Sequence, residues 1–154
     1  METARLRTVI GDRLWRLLQS VRHFELEVTP GHGGSTRRGA GTILLELPSA
    51  TSMLWRQQGH WVDGPLAGVR FTNSTRWEWD GHDALRVSHQ RRGPDPVLLS
   101  TLSPGASGRW NGTTHHCGED RYTPSIDASR SILRLSWQVT SPSDPYRWVL
   151  LARP

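Results

Sequence analysis

The sequence contains no lysine, so all 19 of its basic residues are arginines. A lysine amine forms Schiff bases with carbonyl substrates, and the lysine of a phosphate-binding loop contacts the phosphates of a nucleotide. This chain lacks the usual residue for both tasks. The absence argues against pyridoxal phosphate chemistry and against nucleotide phosphoryl transfer.

Cysteine is nearly absent, with Cys117 as its one representative. One cysteine cannot form an internal disulfide, and the N-terminus lacks the roughly 7–15-residue apolar stretch of a signal peptide. Both features predict a cytoplasmic protein. Long apolar runs are missing too, because no segment approaches the about 18 apolar residues of a membrane span. We therefore expect no membrane partner.

Acidic residues are outnumbered by basic ones, 14 against 19, which gives a formal net charge of +5. The arginines are scattered along the chain, and adjacent pairs occur only as Arg37-Arg38 and Arg91-Arg92. Nucleic-acid-binding proteins usually gather their positive charge on one face. The scatter predicts that nucleic acid is not a partner.

Glycine and proline are plentiful, at 15 and 10 residues, which suits strands joined by turns better than long helices. The length of 154 residues fits one domain, predicted over residues 1–154. Apolar residues at helical spacing predict one amphipathic helix over about residues 4–19, interrupted or weakened at Gly11. From residue 22 to about residue 152 the apolar residues alternate with period 2, which is typical of β-strands.

Turn-forming residues divide this second part into probable strands. The predicted strands are Arg22–Val28, Ala40–Leu47, Met53–Val62, Leu66–Asp80, Ala84–Arg91, Val97–Leu102, Gly108–Cys117, Arg121–Asp127, Ser131–Thr140 and Tyr146–Ala152. Long strands in sequence-adjacent hairpins favour a closed meander over a sandwich, because closure removes exposed edges. The predicted fold class is mainly β: a single antiparallel up-and-down β-barrel of about 8–10 strands with one N-terminal α-helix.

Alternation also predicts which polar side chains share the inward face with tryptophans. Barrels of about eight strands hold their own side chains or one small ligand. Because a buried polar group without a partner costs roughly 1–3 kcal/mol, inward polar residues favour a ligand cavity over a packed core. The predicted ligand-binding residues are Trp55, Gln57, Trp61, Phe71, Asn73, Thr75, Trp77, Trp79, His89, Trp110 and His116. Trp15 is a further lining or lid candidate, and Trp137 is assigned to the packed core.

The densest group of reactive side chains is the segment His115-His116-Cys117-Gly-Glu-Asp120-Arg-Tyr122. Adjacent residues on a strand point to opposite faces, so His115 and His116 cannot both reach an interior metal, and we expect no metal site. A Cys–His nucleophile is also disfavoured, because Cys117 has the parity of His115 and therefore points to the face opposite to His116. General acid–base catalysis remains open. Its candidate residues are His116, His89, Asp120 and Tyr122.

Haem is a further alternative, since a small barrel with an apolar cavity and one axial histidine can hold it. His89 and His116 both have the parity for that role. No specific haem signature is present, so the expected cofactor is none.

Several short motifs occur in an order that resembles a known family. They are Phe71-Thr-Asn, Arg76-Trp77, Leu85-Arg-Val-Ser-His89, Arg92-Gly-Pro, His116-Cys-Gly-Glu-Asp-Arg-Tyr122, Trp137-Gln-Val and Ser141-Pro-Ser-Asp-Pro-Tyr146. The pattern resembles domain of unknown function 6314, a family of uncharacterised bacterial proteins, over most of residues 15–150. The resemblance implies a calycin-like barrel, the group that includes lipocalins. The family has no assigned activity, so it implies no catalytic residue.

These observations lead to one main hypothesis, a binding protein whose barrel cavity takes a small hydrophobic or aromatic molecule. Asn73, His89 and His116 would orient that ligand. The alternative is a cofactor-independent enzyme that uses the same cavity, with His116 or His89 as general acid or base. The sequence leaves the ligand, its possible conversion and the oligomeric state open.

Overall fold

The computed structural model describes residues 2–90, 95–128 and 131–154. Three sequence features fall wholly or partly outside these residues: the predicted strand end at Arg91, the Arg91-Arg92 pair and the Arg92-Gly-Pro motif.

The chain begins with one amphipathic helix, α1 (Glu2–Ser20). Its Leu14, Trp15 and Leu18 side chains are buried, whereas the neighbouring Arg13 and Arg16 are exposed. The helix runs through Gly11 without the expected interruption. A Cβ atom at Gly11 would collide with the carbonyl oxygen of His82, so the missing side chain lets the helix lie close to the barrel.

Eleven strands follow in the described residues, and all pairings between them are antiparallel. They are β1 (His23–Pro30), β2 (Arg37–Ser49), β3 (Ser52–Trp61), β4 (Arg70–Trp79), β5 (Leu85–His89), β6 (Val97–Pro104), β7 (Arg109–Gly112), β8 (His115–Cys117), β9 (Asp120–Asp127), β10 (Leu133–Thr140) and β11 (Tyr146–Arg153). The predicted strand Leu66–Asp80 starts later, at Arg70, because residues 62–69 form a loop with two short turns.

The sheet closes on itself. Successive strands pair from β1 to β7, then β9 pairs with β10, β10 with β11, and β11 with β1. The short strands β7 and β8 share one place in the ring, since both pair with β9 over different residues. Over the described residues the barrel thus has ten strand places. The predicted antiparallel barrel with one N-terminal helix is confirmed.

The helix covers one end of the barrel. The Trp15 indole donates a hydrogen bond to the carbonyl of Ala50 over 3.1 Å, and the Trp55 indole donates to the carbonyl of Leu18 over 3.1 Å. The tryptophans Trp55, Trp77 and Trp110 are completely buried in this half. Each such ring buries about 150–250 Å², so this half of the barrel is a packed core. A larger cavity lies in the other half of the barrel.

No helix in the described part of the chain has both the length and the apolar character needed to cross a membrane.

Candidate ligand-binding site

The half of the barrel away from the helix contains a cavity of about 340 Å³. An apolar cavity of about 150 Å³ is large enough to bind benzene, so this one has room for a larger molecule. Its lining comes from nearly every strand around the ring. The lining residues are Gln57, Asn73, Thr75, Val87, His89, Leu99, His115, Cys117, Tyr122, Leu135, Trp137, Tyr146 and Trp148.

One side of the cavity, which we call the polar wall, consists of Gln57, Asn73, Thr75 and His89 on β3, β4 and β5. Gln57 lies opposite Asn73 across β3 and β4, and Thr75 lies opposite His89 across β4 and β5. The side-chain amide of Asn73 donates to Gln57 Oε1 over 2.9 Å and to Thr75 Oγ1 over 3.5 Å. This network fixes the polar side chains and keeps them facing the cavity.

The other side, the aromatic wall, consists of Tyr122, Trp137, Tyr146 and Trp148 on β9, β10 and β11. Trp137 lies opposite Trp148 in the register, and the two rings stack with centroids 5.9 Å apart and an interplanar angle of 27°. The Tyr122 ring lies 6.2 Å from the His115 ring. The wall therefore combines a stacked pair of indoles with two phenols.

The two walls face each other. β4 carries the centre of the polar wall and β10 the centre of the aromatic wall, and these strands are five places apart in the ring of ten described strand places. Five places is half of the ring, so the strands are diametrically opposite. A bound molecule would contact amide and imidazole groups on one side and aromatic rings on the other.

The two phenols are coupled to each other and to nearby acids. Burial raises the pKa of the Tyr146 hydroxyl above its ordinary value of 10.0, and the nearby Tyr122 hydroxyl, which hydrogen-bonds it, acts in the same direction. The carboxylates of Asp120 and Asp144 also raise this pKa. Tyr146 is therefore a neutral phenol at physiological pH.

Residues 13–150 match the family of unknown function DUF6314. The chain belongs to this family. No functionally curated protein matches its sequence.

Among solved structures, the DUF6314 chain is similar to the S-type phycobiliprotein lyase CPES from Guillardia theta, with a TM-score of 0.64, 7% identity and 96% of each chain covered. It also resembles the redesigned β-barrel mFAP1 bound to DFHBI, with a TM-score of 0.44 and 15% identity over 92% of this chain and 99% of that one. At these identities the likeness to the lyase shows the shared fold and nothing more.

Four of the residues predicted to bind a ligand in this DUF6314 protein lie together in the polar wall: Gln57, Asn73, Thr75 and His89. The other predicted residues lie elsewhere. Trp55, Trp77 and Trp110 belong to the packed core, and Trp79 packs on Trp15 with ring centroids 5.9 Å apart. Trp61 and Phe71 pack on each other at 5.1 Å, outside the cavity lining.

The inward orientation predicted for His116 is wrong. His116 is exposed on β8, and its neighbours His115 and Cys117 line the cavity instead. The predicted strand Gly108–Cys117 is interrupted after Gly112, and residues 113 and 114 belong to neither β7 nor β8. The interruption shifts the alternation, so the parity counted from Trp110 fails beyond it.

The candidates for acid–base catalysis divide in the same way. His89 and Tyr122 line the cavity, whereas His116 and Asp120 do not.

Within the described residues, no three His, Cys, Asp or Glu side chains converge as a metal site would require.

Sequence reasoning missed eight lining residues, three of them aliphatic and five aromatic or reactive: Val87, Leu99, Leu135, His115, Cys117, Trp137, Tyr146 and Trp148. The predicted core position of Trp137 is confirmed, since this residue is 4% exposed and belongs to the hydrophobic core, and it also lines the cavity beside Trp148. The alternation of β11 already placed Tyr146 and Trp148 on one face. This alternation could have identified them, because it places two large aromatic side chains on one face of β11, directly after the polar loop Ser141–Asp144.

Proposed function

We propose that this protein binds a small hydrophobic or aromatic molecule in the barrel cavity. The observation that carries the proposal is a cavity of about 340 Å³ with a polar wall facing an aromatic wall. Ligand pockets are typically concave and mostly apolar, with a few well-placed polar groups that fix the orientation of the ligand. The lining has this composition.

The chemistry of the walls supports a planar ligand with a polar edge. The stacked Trp137 and Trp148 rings offer flat apolar faces for such a molecule. Opposite them, the Gln57 and Asn73 amides and the Thr75 hydroxyl supply both donors and acceptors. A ligand in this position would lie against the aromatic wall and hydrogen-bond along the polar wall.

The proposal is tested with N-phenylnaphthylamine, a neutral aromatic probe that fluoresces when it leaves water. Leu99 lines the cavity and the adjacent Leu98 is exposed, so the two leucines form a matched pair on β6. We expect Leu99→Trp to fill the cavity and weaken probe binding at least about tenfold, which is roughly 1.4 kcal/mol. Leu98→Trp should leave it unchanged. Equal binding by both variants would place the probe outside the cavity.

Catalysis in the same cavity is the second candidate, because His89, His115 and the Tyr122 phenol all line it. A histidine within reach of a bound molecule can act as general acid or base. Native mass spectrometry of protein purified from its host identifies any retained molecule. Incubation of that molecule with wild type and with His89→Gln then separates binding from conversion. A mass change that persists in the variant would exclude His89 as the catalytic group.

Cytoplasmic location, bacterial origin and a calycin-like classification stay predictions. The free thiol of Cys117 supports a reducing compartment, and the helix-covered barrel with its cavity supports the calycin-like classification.

A further inference from the structure

The aromatic wall contains only electron-rich rings. Its four members are two tryptophans and two tyrosines, and neither phenylalanine of the chain belongs to the cavity lining. The face of an aromatic ring carries partial negative charge, and tryptophan attracts cations most strongly. We propose that the natural ligand carries an organic cation, a protonated amine or a quaternary ammonium group, which lies against the aromatic wall. This inference rests on the proposed ligand-binding function of the cavity.

The distribution of arginine agrees with it. The chain has 19 arginines, yet none is among the described residues that line the cavity. Arg121 and Arg147 come directly beside Tyr122 and Tyr146 in the sequence, but strand alternation turns them to the outer surface, where both are exposed. Among the described residues, therefore, no guanidinium opposes a cation or attracts an anion inside the cavity, although the protein as a whole is positively charged.

Two carboxylates lie near the aromatic wall. Asp120 lies opposite the lining residue Cys117 across β8 and β9, and Asp144 comes two residues before Tyr146 in the chain. Both act electrostatically on the Tyr146 hydroxyl. Asp144 is exposed and Asp120 is half-buried, and neither belongs to the cavity lining itself. A carboxylate attracts a cation, but solvent screens this attraction at exposed positions, so the two carboxylates add to the ring faces as a smaller contribution.

The polar wall specifies the rest of the molecule. Three of its four members, Gln57, Asn73 and Thr75, are uncharged donors and acceptors on the opposite side of the cavity, and the fourth is the imidazole of His89. They suit a hydroxyl, carbonyl or ring nitrogen and not a second full charge. The ligand class is thus a compact molecule with a cationic group at one side and a neutral hydrogen-bonding group at the other.

The test compares two isosteric probes, meta-hydroxyphenyltrimethylammonium and meta-tert-butylphenol, by calorimetry and by quenching of tryptophan fluorescence. They have nearly the same shape and differ in the positive charge. We expect the cation to bind about tenfold more tightly than the neutral probe. A third probe, meta-hydroxybenzenesulfonate, reverses the sign of the charge and should bind most weakly.

Variants locate the cause of the preference. Trp148→Leu should reduce the ratio of cation to neutral affinity about fivefold, and Asp144→Asn about twofold. A general disturbance of packing would weaken the binding of both probes alike and would leave this ratio unchanged. The matched controls are Trp61→Leu, which removes a ring outside the lining, and Asp12→Asn, which removes an exposed carboxylate of α1. Both controls should keep the wild-type ratio.

The outcomes separate this inference from the function on which it rests. If the neutral probe or the sulfonate binds as tightly as the cation, the cationic ligand class is wrong while the binding function stands. If none of the three probes binds, and N-phenylnaphthylamine does not bind either, the binding function itself is overturned. A cation preference that Trp61→Leu or Asp12→Asn abolishes would place the cation outside the cavity and overturn the inference.

Discussion

Gln57 and Asn73 lie opposite each other on β3 and β4, and the Asn73 side-chain amide donates to Gln57 Oε1 over 2.9 Å. The bond lies in the interior of the barrel, where Gln57 is 6% exposed. A pair of amides at this depth is informative, because a purely structural core would fill the same space with apolar groups. Their arrangement leads to the first prediction.

Replacement of Gln57 by leucine should destabilise the protein, because Asn73 then loses its 2.9 Å hydrogen bond to Gln57 Oε1 inside the barrel. We expect a loss of about 1–3 kcal/mol in the free energy of unfolding, measured by urea denaturation. Gln58 is the matched control, since it is exposed on the same strand. Gln58→Leu should change the stability by less than about 0.5 kcal/mol. Equal effects of the two substitutions would contradict the assigned orientation of β3.

The two histidines of β8 provide a second test. His115 lines the cavity and His116 is exposed. We expect His115→Ala to change the affinity for N-phenylnaphthylamine by about threefold or more, because it removes part of the cavity wall beside Tyr122. His116→Ala should leave the affinity as it is. If instead His116→Ala changed the affinity and His115→Ala did not, His116 would face the cavity, as the sequence predicts, and the interruption after Gly112 would not shift the alternation.

The polar wall could be predicted from the sequence, and so could the inward face of Tyr146 and Trp148, whereas the division of the inward aromatic residues between core and cavity could not. Gln57, Asn73 and Thr75 lie on uninterrupted parts of β3 and β4, so alternation assigns their faces correctly. Alternation does not give the position of a residue along the barrel axis. Trp55 has the same parity as Gln57, yet it lies two residues nearer the helix and belongs to the core. Only the helix, which covers one end, decides which half is packed.

The close contact at Gly11 leads to a third prediction. Alanine is favoured over glycine in a helix by about 1 kcal/mol, so Gly11→Ala should stabilise an isolated helix. In this protein the added Cβ would meet the backbone of His82 and lie 3.0 Å from Trp79 Nε1. Because backbone atoms cannot move aside easily, we expect a net loss of about 1–3 kcal/mol in thermal or urea denaturation.

Arg16→Ala is the control for Gly11→Ala, because Arg16 lies on the exposed side of the same helix and its ion pair with Asp12 is solvent-exposed. Its effect should stay below about 1 kcal/mol. A stabilising Gly11→Ala would mean that the helix does not lie against the β4–β5 turn.

Haem binding gives a fourth prediction. The cavity volume of about 340 Å³ lies near the lower end of the roughly 300–1,000 Å³ range of ligand pockets, which favours a molecule smaller than a porphyrin. We expect hemin to give no Soret shift that depends on His89. His116→Ala controls for hemin bound at the surface. A Soret shift that disappears in His89→Ala and persists in His116→Ala would establish an axial histidine in the cavity.

The fifth prediction follows from the Tyr146 phenol. Burial, the Tyr122 hydroxyl and the nearby carboxylates raise its pKa in the folded protein above the value of 10.0 that it has when unfolded. The folded state therefore binds this proton more tightly. The resulting stability is fully present below pH 10 and is lost as the pH rises through the folded pKa. The Tyr146→Phe variant should therefore lose less stability than wild type as the pH rises.

The measurement is the urea midpoint of wild type and Tyr146→Phe at several pH values above about pH 9, together with phenolate absorbance. The wild-type midpoint should fall more steeply than that of the variant. Tyr122→Phe removes the hydrogen-bonding partner, so it should bring the remaining phenol back toward its ordinary pKa. If the wild-type and Tyr146→Phe curves run parallel, the Tyr146 hydroxyl is in water and is not part of the aromatic wall.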